Sequence, residues 1–148
     1  MGNRPGIMNP RVLIIEPDPA LRNNLAQHTR QEGFQVFEAV REQEAAALLS
    51  KSTIPLVLLG LKGLKRRGIE ILRMIRRRFP QVKVITINSG EQFDLSLEVM
   101  RLGAYDDFLI PFELETLMAR MHWAMRTGNG ISDDNEGKHP ADQTGGEV

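Results

Sequence analysis

The sequence predicts a doubly wound α/β fold, with five parallel strands in the order 2-1-3-4-5 between two layers of helices. Three observations predict it. The runs RVLIIE (11–16), LVLL (56–59) and VKVITI (82–87) are largely apolar, and the first two do not alternate. Strands of that kind need cover on both faces, as central strands of a parallel sheet do. Segments with helical spacing lie between the strand runs, joined by short connections. Right-handed crossovers then favour the 2-1-3-4-5 order, which sets the ends of strands one and three side by side. Glu16 and Gly60 are expected to be neighbours there.

Each element has a local reason. After the first strand, Asp18 can cap a helix and Pro19 suits its first position, where no N–H is needed. Leu21, Leu25 and His28 share a face of that helix, and Gly33 is a natural left-handed stop. Strand two is expected over 34–39, where apolar and polar residues alternate, and helix two over 41–50. Gly60 closes the LVLL strand; after the loop 61–67, Ile69, Ile71, Leu72, Met74 and Ile75 repeat at helical spacing up to Pro80. Helix four is expected over 91–102 with Gly103 as its stop, strand five over 104–110, and helix five over 113–126 after Pro111. Residues 1–10 read as a flexible arm, 11–126 as one domain, and 127–148 as a disordered acidic tail with five acids against one Lys.

Composition bounds the function. Hydrophobic residues at 41% and charged ones at 26% are ordinary for a globular protein, and zero net charge gives no global argument for nucleic acid. The absence of Cys excludes disulfides and thiolate metal sites and fits a reducing compartment. No apolar run approaches the ~20 residues that cross a bilayer, and MGNRPGIMNP lacks a signal peptide's apolar core, so a cytoplasmic protein is expected. There is no Walker loop, no G-x-G-x-x-G and no Ser-His-Asp order, and His28, His122 and His139 lack metal-ligand spacing. Asp106 and Asp107, adjacent on a strand, point to opposite faces and cannot share a proton. No catalytic residue, metal or cofactor is expected.

The stretches VLIIEPDPALR, LVLLGLKG with GIEILRMIRRRFP, and LEVMRLGAYDDFLIPFELETL resemble the receiver domain of two-component response regulators over roughly 11–126. The resemblance implies a flavodoxin-like, three-layer α/β/α fold and a role in phosphorelay signalling. In that family an Asp ends strand three as phosphoacceptor. Two acids after strand one hold Mg²⁺, a Thr or Ser ends strand four, and a Lys precedes the Pro after strand five. Mg²⁺ needs oxygen ligands, and the Lys and hydroxyl receive the phosphoryl oxygens. At the matching positions this chain carries Gly60, Glu16 followed by Pro17, Asn88 and Ile110, while Asp107 replaces the aromatic that couples the pocket to the output face. The resemblance therefore implies a degenerate receiver without phosphotransfer at this pocket, acting as an interaction module.

Two surface features remain. Lys62, Lys65, Arg66, Arg67, Arg73, Arg76, Arg77 and Arg78 stand against Glu70 alone. They read first as a solvated helix face. The functional alternative gives Lys65, Arg66 and Arg67 an anionic small molecule or nucleotide at the vacated pocket. Nucleic acid is not expected, because no aromatic is interleaved for stacking. On helix four, Phe93, Leu97 and Met100 form one stripe, and Leu95, Val99 and Leu102 a second on the opposite side. The expectation is that Leu95, Val99, Leu102 and Trp123 face outward, with Asp107 in the same interface. They would form a partner or homodimer face across helix four, strand five and helix five.

Overall fold

The computed structural model describes residues 9–91 and 93–127. The expected arm and tail therefore lie outside the described residues, apart from positions 9, 10 and 127. In chain order the elements are β1 (Arg11–Ile15), α1 (Pro19–Gln31), β2 (Gln35–Ala39), α2 (Glu42–Lys51) and β3 (Leu56–Gly60). They continue with α3 (Arg66–Arg78), β4 (Lys83–Asn88), α4 (Phe93–Arg101), β5 (Asp106–Leu109) and α5 (Leu114–Thr127). The strands form one parallel sheet in the order β2-β1-β3-β4-β5. The fold class is the one the sequence predicts.

Alternate side chains of the buried strands feed two cores, because successive residues of a strand point to opposite faces. Leu13, Ile15, Val57 and Leu59 meet α2, α3 and α4 on one face. Val12, Ile14, Leu56 and Leu58 meet α1 and α5 on the other. The helix signals hold: Asp18 Oδ2 accepts the Leu21 N–H at 3.4 Å, Pro19 opens α1, and Gly33 takes φ +98° after it. Among the described residues, no helix is long and apolar enough to cross a membrane.

Helix α4 corrects an expectation. Leu95 and Val99 are 7% and 0% exposed and pack into the core, and Leu102 is half-buried beside them. The outward residues are Leu97 and Met100, at 44% and 45% exposure. Polar neighbours decide the rotation. Ser96, flanking the inner stripe, bonds to Asp107 on β5, while Glu98 on its other flank meets Arg66 and Arg73 of α3. Turning the helix over would break both sets of contacts. Trp123, expected outward, is half-buried, with the Arg126 guanidinium carbon 5.2 Å from its ring centre.

Candidate functional site

The carboxyl ends of β1, β3 and β4 meet at one edge of the sheet, where ligands of open α/β folds bind. Ile15 pairs with Leu59, and Gly60 with Ile87, so Glu16 stands next to Gly60 and Asn88 follows one residue on. The Glu16 side chain folds over Gly60. A Cβ on Gly60 would lie 1.7 Å from Glu16 Oε1, so the carboxyl fills the space of any side chain at that position. Pro17 packs over the next loop, its Cγ 2.9 Å from where a Cβ of Gly63 would be. Glu16 and Gly60 are neighbours, as the strand order implied.

Glu16 is 2% exposed. Its Oε2 accepts the Asp18 N–H at 2.9 Å, while its Oε1 has no hydrogen-bond partner. Burial is the largest influence on this carboxyl and pushes its pKa above the ordinary glutamate value. The Asp18 N–H opposes the shift, the Asp18 carboxylate adds to it, and Arg22 and Lys62 oppose it from a distance. Arg22 also fixes the turn, donating to the carbonyls of Glu16 at 2.8 Å and Pro17 at 3.4 Å.

A second polar cluster sits across the sheet edge, beneath α4. Asp107 Oδ1 accepts from Thr86 Oγ1 at 2.5 Å, and Oδ2 from Ser96 Oγ at 2.7 Å. Ser96 Oγ in turn accepts from Asn88 Nδ2 at 3.0 Å. The network joins β4, β5 and α4. Sequence reasoning singled out Asp107 and Asn88 but missed Thr86 and Ser96, whose part depends on a strand pairing that no local pattern records. Asp106 points elsewhere, to Arg120 at 3.0 Å, and burial raises its pKa against the pull of that arginine. Ile110 is partly buried against the α1–α5 core and brings no charge to the edge.

The alternative reading puts Lys65, Arg66 or Arg67 at the mouth of this pocket, and two of them have other neighbours. Arg66 bonds to Glu98 of α4 at 3.0 Å, holding that carboxyl below its usual range and raising its own pKa. Arg67 lines a cleft between α2 and α3, and Lys65, at φ +53°, is exposed.

Comparison with known proteins decides the family. Residues 12–122 match the response regulator receiver domain model. The chain is a receiver domain. It is 30% identical over 111 residues to the sporulation initiation phosphotransferase F of Bacillus subtilis, covering 75% of this chain and 90% of that protein. It is also 30% identical over 109 residues to a putative response regulator NtrX-like protein of Rickettsia felis, covering 72% of this chain but 23% of that protein. This receiver thus spans about a quarter of the length of such NtrX-like relatives. Among solved structures, a response regulator from Thermotoga maritima superposes with a TM-score of 0.72 at 27% identity, over 80% of this chain and 99% of that one. Receivers are signalling modules of two-component systems.

The receiver family implies a magnesium ion, and the donors here do not fit one. Mg²⁺ takes about six oxygens in an octahedron. Next to Gly60 stands the single carboxylate of Glu16, with one oxygen already bonded to the Asp18 N–H. Asp18 is turned to the α1 N-terminus, and Pro17 and Gly60 offer no side-chain oxygen.

Proposed function

We propose that this receiver does not carry a phosphoryl group at the usual position and signals through occupancy of a protein-binding face. The observation that carries the reading is the Glu16 carboxyl lying where a side chain on residue 60 would be. A phosphoacceptor needs an exposed carboxylate, a metal and a cation for the phosphoryl oxygens. Gly60, Pro17 and Ile110 supply none of these. The name of the Bacillus relative records phosphotransfer; this chain departs from that chemistry at Gly60. The reading assigns no catalysis and no cofactor to the domain, and it places the domain in the cytoplasm.

The Asp107 network supports the same reading. It takes the position of the family's coupling aromatic and ties α4 to the sheet. The face so fixed presents Leu97, Met100 and Leu109 at 44%, 45% and 45% exposure. Exposed apolar side chains on α4 and β5 are material for an interface. Its occupant is a protein partner or a second copy of the chain, across α4, β5 and α5. The test is sedimentation of the purified chain over a range of concentrations, with and without Mg²⁺ and acetyl phosphate, and with host lysate fractions as the partner source. Association unchanged by the phosphodonor and weakened by Leu97→Asp is expected. Association that depends on the phosphodonor would overturn the reading.

A further inference from the structure

The chain's zero net charge conceals a division. Residues 128–148 hold Asp133, Asp134, Glu136, Asp142 and Glu147 against Lys138, a net of −4, so the remainder carries +4. Much of that positive charge lies on α3. Arg66 and Arg73 reach Glu98, and Arg76 donates to the carbonyls of Pro80 and Val82. Among the described residues, Arg67, Arg77 and Arg78 have no carboxylate partner; Arg78 lies over the Phe79 ring at 5.2 Å.

Arg67 and Arg78 belong to a cleft of about 430 Å³ between α2 and α3. Its floor is apolar, with Val40, Ala46, Leu64 and Ile71, and Val40 is 36% exposed. Arg41, Glu42 and Glu70 also line it; Glu70 is about one turn from Arg67 and more than two from Arg78, so an anionic ligand is drawn to the Arg78 end.

The tail leaves α5 at the edge of the sheet where this cleft ends. Lys83 Nζ donates to the Ala124 carbonyl at 3.0 Å, which places the last turns of α5 at the start of β4. Arg76 donates to the Val82 carbonyl at 2.8 Å, which places the last turn of α3 at the same point. Two layer spacings of about 10 Å separate α5 from α3. Six to nine residues beyond Thr127, at about 3.3 Å each, extend roughly 20–30 Å and bring Asp133 to Glu136 within reach of Arg78.

We propose that the acidic segment 133–136 of this chain docks in the α2–α3 cleft at its Arg78 end. Asp133, Asp134 and Glu136 face Arg78 and Arg77. Individual exposed pairs of this kind are weak. The tether supplies a high effective concentration and makes the contact intramolecular. Its chemistry is that of an acidic peptide, so a partner segment with the same charge pattern would compete for the cleft.

The chain has no Cys, so Asn135→Cys carries a single nitroxide without removing a charge. Amide spectra of the full-length labelled protein are compared with those of its reduced form. The amides of Ala46, Ile71 and Arg78 should lose intensity by roughly twofold or more through the tethered contact, while those of α1 on the opposite face should not. About 0.5 M salt, which shortens the screening length to a few ångströms, should restore them. Arg67→Glu/Arg78→Glu should do the same while leaving the remaining amide positions in place. Broadening spread evenly over the surface, or no broadening, overturns the docking. So does broadening seen only when labelled and isotope-enriched chains are mixed, because the contact is then between copies.

Discussion

Two acidic side chains sit at the same edge of the same sheet and are treated in opposite ways. Asp107 has both oxygens accepting hydroxyl hydrogen bonds, from Thr86 and Ser96, in a network that crosses three elements. Glu16 is more deeply buried and has one oxygen bonded and the other without a partner. A hydrogen bond to a charged group contributes about 1.5–3 kcal/mol, and a buried polar atom without one costs a comparable amount. The difference teaches what each corner does. The Asp107 corner holds α4 in place, and the Glu16 corner closes the space over Gly60 at some expense to stability.

The largest effect that would break this comparison is at Asp107. Asp107→Ala strips Ser96 of its acceptor, leaves Thr86 only the Asp106 carbonyl at 3.3 Å, and should lower unfolding stability by about 2–3 kcal/mol, read from urea midpoints. It should also free α4, seen as faster amide exchange from Asp94 to Arg101. A loss under about 0.5 kcal/mol, the size of an ordinary surface change, would show that the network does not hold the helix.

Glu16 should behave in the reverse way, and pH sharpens the contrast. Its folded-state pKa is raised, chiefly by burial. A raised carboxyl binds its proton more tightly when folded. Its contribution is therefore fully present below the unfolded-state value and is lost as pH rises through the folded one. Asp106 is raised as well and acts in the same direction. Stability of the wild type should fall as pH rises above the usual glutamate range. Glu16→Gln should match the wild type at acid pH and exceed it by about 1 kcal/mol once Glu16 is ionised. A variant that is less stable at every pH would mean that the carboxylate is favourably held. The smallest effect belongs to the outer face: Leu97→Asp should change stability by less than about 0.5 kcal/mol.

The fold was readable because its signals are local. Unbroken apolar strands, the Asp18-Pro19 start of α1 and the stops at Gly33 and Gly103 each act within a few residues. The neighbourhood of Glu16 and Gly60 followed from strand order alone. What the Glu16 side chain does there did not, because its rotamer depends on the absence of a Cβ at Gly60 on another strand. The rotation of α4 was hidden for a similar reason. Both of its stripes are apolar, and the choice between them rests on Ser96 meeting Asp107 and Glu98 meeting Arg66, contacts between residues 11 and 32 positions apart.

The most direct measurement is intact mass after incubation with acetyl phosphate and Mg²⁺, on the wild type and on Gly60→Asp. The wild type should gain no phosphoryl group. Gly60→Asp should gain none either at the rate of an ordinary receiver, since its new carboxylate meets Glu16 and finds no cation at Ile110. An acid-labile phosphoryl group on the wild type, mapped to any residue from Arg11 to Arg126, would contradict the closed corner at Gly60.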